Sequence, residues 1–164
     1  MKIFVATGSR AFSFSRLIKA VDEAALALSF SKEDIFAQIG TSEYVPEHIS
    51  FERFLEKNVY DEKINSCDIL IAPAAAGTVF SSLKARKKII VVTRLHEHGE
   101  IIDNHQIELA TILAEQNFVL YAEDLACLPE KITAAQNHTF DVYSPNPERT
   151  VRAINDWIAE TVKK

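Results

Sequence analysis

The sequence is poor in the residues that staple a fold, span a membrane or grip nucleic acid. Of 164 residues only two are cysteine, Cys67 and Cys127, far apart and in no CxxC or other ligand pattern. No disulfide framework or zinc module is expected, and both read as reduced thiols of a cytoplasmic protein. No apolar run approaches the roughly 18 residues that a membrane span needs, and the start, "MKIFVATGS", is too short for a secretory signal. Association with a membrane is therefore expected to come through another protein. Lys and Arg number 18 against 23 acidic residues, for a net charge of -5, and they are scattered apart from "KARKK". That balance excludes nucleic acid and an anionic lipid surface as main partners and points to a smaller ligand. With only four glycines the chain holds neither GxGxxG nor GxxxxGK(S/T), so it has no dinucleotide fingerprint and no P-loop. Internal repeats and low-complexity tracts are also lacking.

What is present is an alternation of two periods. The runs "IFVA" (Ile3 to Ala6), "IFAQI" (Ile35 to Ile39), "ILIA" (Ile69 to Ala72), "IIVV" (Ile89 to Val92) and "FVLYA" (Phe118 to Ala122) are short and almost uncharged. They predict strands buried on both faces. Between them lie helical stripes. "FSRLIKAVDEAALAL" places Leu17, Val21, Ala24 and Leu28 on one side, and "NHQIELATILAEQ" carries Ile107, Leu109, Ile112 and Leu113. Strand, helix, strand means an α/β protein with an open, Rossmann-like parallel sheet and helices on both faces. At this length and 48% hydrophobic content, residues 1–164 are expected to form one domain. A Pro-rich break, "YSPNPE", sets off a last helix over 147–163 with Val151, Ile154, Trp157 and Ile158 on a stripe.

The four glycines punctuate one edge of that sheet. Gly8, Gly40 and Gly77 follow the first three predicted strands, and Gly99 lies in the loop after the fourth. In such sheets ligands bind outside the carboxyl ends of the strands. The loop "ATGSRAFSF" offers backbone N–H groups that can hold a phosphate, helped by Thr7, Ser9 and Arg10. It reads equally as a plain strand-to-helix turn capped by Ser13 or Ser15. "PAAAGTVFSSL" (Pro73 to Leu83) leaves a strand with small residues and enters a helix at Thr78, so a ligand can approach the backbone and set negative charge on the helix N-terminus.

A third wall comes from "RLHEHGEIIDNHQIELA", Arg94 to Ala110, which holds three of the five histidines. Asp103 or Asn104 is expected to cap a helix that presents His105 and Gln106 to the crevice and not to the core. Gln106 is suited to the hydroxyls of a polar ligand. His96, His98, Glu100 and His105 have no closed zinc spacing, and no metal is expected.

These residues carry a resemblance. "IFVATGSRAFSFSRLIKAVDE", "AQIGTSEYVP", "ILIAPAAAGT" and above all "VVTRLHEHGEIIDNHQIELA" are similar to the carboxy-terminal domain of glycosyltransferase family 28 in its stand-alone form. Members of this form serve as catalytic subunits of dolichol-linked N-acetylglucosaminyltransferases and as small subunits of bacterial exopolysaccharide glycosyltransferases. The most specific match is the run D(D/N)HQxExA. The resemblance implies the carboxy-terminal half of a GT-B fold and an inverting transfer of a hexosyl or N-acetylhexosaminyl group from a uridine diphosphate (UDP) sugar to a lipid-linked saccharide. It implies donor contacts by Gly8, Ser9 and Arg10, by Ala76, Gly77 and Thr78, and by His105 and Gln106, with Ser81, Asn104 and Glu100 as weaker candidates. It implies no metal or other cofactor. The general base is left unassigned and is expected from a membrane-associated, acceptor-binding partner subunit, which would hold this chain at the cytoplasmic membrane face. A homo-oligomer of the isolated chain stays open.

The sequence departs from the family at three points. Many members show SHAG(A/S)G(T/S) where this chain has "APAAAGT", so Pro73 stands in a histidine's place and Ala75 in a glycine's. An acidic residue that binds ribose is replaced by Ser81, with Ser82 beside it as a substitute. The alternative to an active subunit is thus a degenerate relative that binds a partner or a nucleotide without catalysis.

Overall fold

A computed structural model describes residues 1–8 and 12–145. Six strands form one sheet: β1 (Ile3–Ala6), β2 (Ile35–Gln38), β3 (Ser50–Glu52), β4 (Ile69–Pro73), β5 (Lys88–Val92) and β6 (Leu120–Tyr121). Every neighbouring pair is parallel, and the order is β3-β2-β1-β4-β5-β6. The strand order reverses between β1 and β4, which is where an open α/β sheet forms its ligand crevice.

The strands alternate faces, and each face is covered. Ile3, Val5, Ile35, Ala37, Ile69, Ile71, Ile90 and Val92 pack against α1 (Ser15–Ala27) and α5 (Leu128–Asn137). Phe4, Ala6, Leu70 and Ala72 meet α2 (Lys57–Ser66), while Ile89 and Val91 meet α3 (Ala76–Lys84) and α4 (His105–Glu115). Burial on both sides explains why β1, β4 and β5 read as unbroken apolar runs.

Two strands and two helices escape that reading or differ from it. β3 is a three-residue edge strand, half-exposed, with no apolar run to announce it. β6 pairs over two residues only, where five were expected. α2 is strongly polar, and among its residues only Ile64 is fully buried, with Tyr60 packed edge-on against Phe4. α5 begins with Pro129 in its first turn, a position where the missing N–H costs nothing.

One polar clamp fastens the front of the sheet. Asp22 of α1 is buried and accepts from the Glu47 and His48 N–H groups at 3.0 and 2.7 Å and from the Tyr44 hydroxyl at 2.8 Å. Burial alone would raise its pKa, but the three hydrogen bonds outweigh burial and hold the carboxyl below its usual range. The Tyr44 hydroxyl is pushed up to about 12, first by burial and then by that carboxylate. Cys67 and Cys127 are both free, and burial raises the Cys67 thiol. Among the described residues no helix is long and apolar enough to cross a membrane. The helix predicted over 147–163 lies outside the described residues.

Candidate functional site

A cavity of about 440 Å³ opens at the switch point, lined by residues of the loops after β1, β4 and β5, among them Thr7, Gly8, Phe12, Gly77, Arg94 and Gln106. All three predicted walls meet there.

The first wall is the turn after β1. Gly8 has φ +88, a conformation that side-chain-bearing residues rarely adopt. Its carbonyl accepts from Gln38 Nε2 at 3.3 Å, and Thr7 donates its hydroxyl to the Gln38 carbonyl at 2.8 Å. Gly40 leaves room for this arrangement, because a Cβ there would sit 3.2 Å from Thr7 Oγ1 and 3.3 Å from the Gly8 carbonyl. Ser9 and Arg10 lie outside the described residues. Phe14 holds the N-cap position of α1, and the Ser13 hydroxyl accepts from the first helical N–H, that of Ser15, at 3.4 Å. The Ser15 hydroxyl instead contacts that of Ser42 at 3.0 Å and accepts from Glu43 N–H, tying α1 to the loop after β2.

The second wall is the start of α3, which begins at Ala76, two residues before the predicted Thr78. Its first internal bond runs from Val79 N–H to the Ala75 carbonyl. Helix geometry leaves the N–H groups of Ala76, Gly77 and Thr78 without intrahelical acceptors, and all three residues line the cavity. Pro73 and Ala75 line it too. The Ala75 N–H is taken by the Pro73 carbonyl at 2.6 Å in a tight turn. Ser81 is exposed, away from the cavity, with its hydroxyl bonded to the Thr78 carbonyl. Ser82 is fully buried in the helix face, so it is not available to a ribose.

The third wall differs from expectation in three respects. Gln106 is not surface-presented but 4% exposed, and its Oε1 accepts from Arg94 N–H at 3.0 Å. A backbone N–H can only donate, so this bond fixes the amide and leaves the Nε2 donors for an occupant of the cavity. Glu100 lines the cavity, but its carboxylate is buried and takes Arg16 Nε and Nη2 at 3.1 and 2.9 Å and Leu95 N–H at 3.0 Å. Asn104 is the N-cap of α4 by position, yet its Oδ1 accepts from His96 N–H at 2.8 Å and so closes the short 3₁₀ helix His96–His98 onto α4. The cap is supplied by Asp103, whose Oδ1 accepts from His105 N–H at 3.1 Å and also meets the His105 ring. That ring, by its hydrogen bond, holds the Asp103 carboxyl below the usual range. His105 lines the cavity mouth as predicted. Among the described residues no three His, Cys, Asp or Glu side chains gather closely enough to hold a metal.

The residue that sequence reasoning passed over is Arg94. Its signal was a charge placed two residues after the apolar run of β5. It is 6% exposed and lines the cavity while donating to main-chain carbonyls of two loops.

The glycosyltransferase family 28 C-terminal domain matches residues 2–158, nearly the whole chain. The chain belongs to that family. Within family 28 it is similar to the UDP-N-acetylglucosamine transferase subunit ALG13 of Homo sapiens, 29% identical over 125 residues, and to that of Mus musculus, 27% identical over 128. Each alignment takes 73% of this chain, and the chain spans about a tenth of the length of these curated relatives. The fold is shared with an NMR solution structure of ALG13 (TM-score 0.61, 17% identity, 90% of this chain and 92% of that one). It is shared also with a glycotransferase of kitacinnamycin (TM-score 0.58, 16% identity, 82% of this chain and 34% of that one). The open six-stranded sheet is thus the carboxy-terminal, Rossmann-like half of a family-28 GT-B fold.

Proposed function

We propose that this chain is the donor-binding, catalytic subunit of a two-component glycosyltransferase that moves a sugar from a UDP-sugar to a lipid-linked saccharide in polysaccharide or glycolipid synthesis. The observation that carries the reading is the convergence at one cavity of the α3 N-terminus, the Gly8 turn and the spare amide donors of Gln106. The names of the human and mouse relatives support the N-acetylhexosaminyl form of the donor.

The chemistry suits these groups. An acceptor hydroxyl oxygen bonds to the anomeric carbon from the face opposite the diphosphate, inverting it. The bond to phosphate breaks with its electron pair passing to the diphosphate, and the proton goes to a base. Charge therefore grows on the leaving group, where the N–H groups of Ala76, Gly77 and Thr78 and the α3 dipole stabilise it without reorganising. Gln106 Nε2 and His105 face the sugar or its adjoining phosphate. The base and the acceptor site belong to a membrane-associated partner, which keeps this chain at the cytoplasmic membrane face.

One observation favours the second reading, a partner- or nucleotide-binding subunit without catalysis. The Ala75 N–H, at the edge of the cavity, is spent on the Pro73 carbonyl and is not offered to a ligand. Calorimetry of the chain with UDP, with and without a chelator, tests both. We expect saturable binding of equal strength in the two conditions. A strict need for magnesium or manganese refutes the metal-free mechanism, no binding refutes the donor site, and binding without transfer in the reconstituted pair selects the second reading.

A further inference from the structure

We infer that Arg94 is the positioning residue of the donor cavity, fastening Thr7 and Phe12 on the two sides of the loop after β1; the inference rests on the donor-site reading above. Its guanidinium donates through Nη2 to the Thr7 carbonyl at 2.6 Å and through Nη1 to the carbonyls of Phe12, Ser13 and Glu100, each at 3.1 Å. Thr7 and Phe12 bracket the Gly8 turn, so two ends of one loop are fastened to one planar group. A fork of donors fixed in a plane does this, whereas an ammonium on a flexible stem does not.

The group is itself held. The Arg94 guanidinium lies 4.6 Å from the centre of the Phe14 ring, and that of Arg16 lies 5.6 Å from the same ring. Arg16 is in turn clasped by Glu100, whose main-chain carbonyl is one of the Arg94 acceptors. Meanwhile the Arg94 N–H fixes the Gln106 amide. One residue thus sets both the β1 turn and the orientation of a cavity donor, 12 positions along the chain.

The test uses the full chain, UDP and two variants. Arg94→Lys keeps the charge and loses the fork. Asp22→Asn, in the clamp on loop 44–48 and away from the cavity, controls for general loss of stability. At a temperature well below both melting points, UDP affinity should fall at least about tenfold in Arg94→Lys and stay within about twofold of wild type in Asp22→Asn. In amide NMR spectra UDP should shift both Gly8 and Gly77 in the wild type but only Gly77 in Arg94→Lys, a split that general destabilisation does not produce. Should Arg94→Lys not fold, Phe14→Leu, which removes the ring beneath the guanidinium, carries the same two readouts. Wild-type binding with an unchanged variant, in affinity and in the Gly8 shift, overturns the inference alone. A wild type that ignores UDP instead overturns the donor reading on which it rests.

Discussion

Gln106 lines the cavity while its amide oxygen satisfies a buried backbone N–H, which leaves the amide nitrogen as the donor an occupant would meet. Losing the oxygen leaves the Arg94 N–H without this partner, a cost of about 1–3 kcal/mol for a buried donor. Gln106→Ala should therefore lower the melting temperature by several degrees, on the order of 4–8 °C per kcal/mol for a small domain and less at this size. It should also reduce transfer by the reconstituted pair about tenfold or more, on the order of 1.4 kcal/mol. Thermal melts and steady-state rates check the two halves, and unchanged turnover at an unchanged melting temperature removes Gln106 from the site. The residue types of the site were legible in "DNHQ", but their burial was not. Sequence spacing put Gln106 at a helix start beside polar neighbours, and nothing in it showed that the preceding loop folds back so that Arg94 N–H reaches the amide. Glu100 is the same case: its partner Arg16 is 84 positions away.

Among the elements, α3 separates ligand contact from stability most cleanly. Gly77 sits in its first turn with a helical φ, and a Cβ there would meet no atom within 4 Å. The open space is the cavity. The Cβ of Gly77→Val thus meets no clash from the rest of the empty protein. It gains up to about 0.5 kcal/mol in helix propensity over glycine, while its branched side chain occupies the volume where a diphosphate would approach the N–H groups. We expect a melting temperature within about 2 °C of wild type and UDP affinity lowered by at least about tenfold, measured by melts and calorimetry on the same preparation. Unaltered affinity would move the diphosphate away from α3. The elements buried on both faces, β1, β4 and β5, were legible because a continuous apolar run has few other uses at that length. α2 and β3 were not, since a helix with one fully buried residue and a three-residue edge strand leave almost no hydrophobic period to read.

At the scale of the whole molecule, the described residues form one sheet with the candidate donor cavity at its switch point, and a GT-B transferase works with two Rossmann-like halves facing a shared cleft. The proposed partner must therefore dock on this half without disturbing the donor site. The stripe Val151, Ile154, Trp157 and Ile158 follows two prolines at the end of the chain, and a large aromatic on such a stripe is well suited to anchor an interface. Among the described residues, β1 through β6 and α1 through α5 all lie within residues 3–137. Tyr143 then packs on Phe80 and Phe118, with ring centres 5.4 and 5.6 Å away, so the chain stays tied to the α3–α4 face up to the prolines. Deleting residues 147–164 should consequently leave a folded protein that binds UDP with wild-type affinity yet no longer captures a co-expressed acceptor-binding subunit or supports transfer. Circular dichroism, calorimetry and co-purification read the three outcomes separately. Capture at full affinity by the truncated chain excludes the segment as the docking element. An unfolded truncated chain shows instead that the stripe packs on this domain's own surface, as amphipathic helices commonly do.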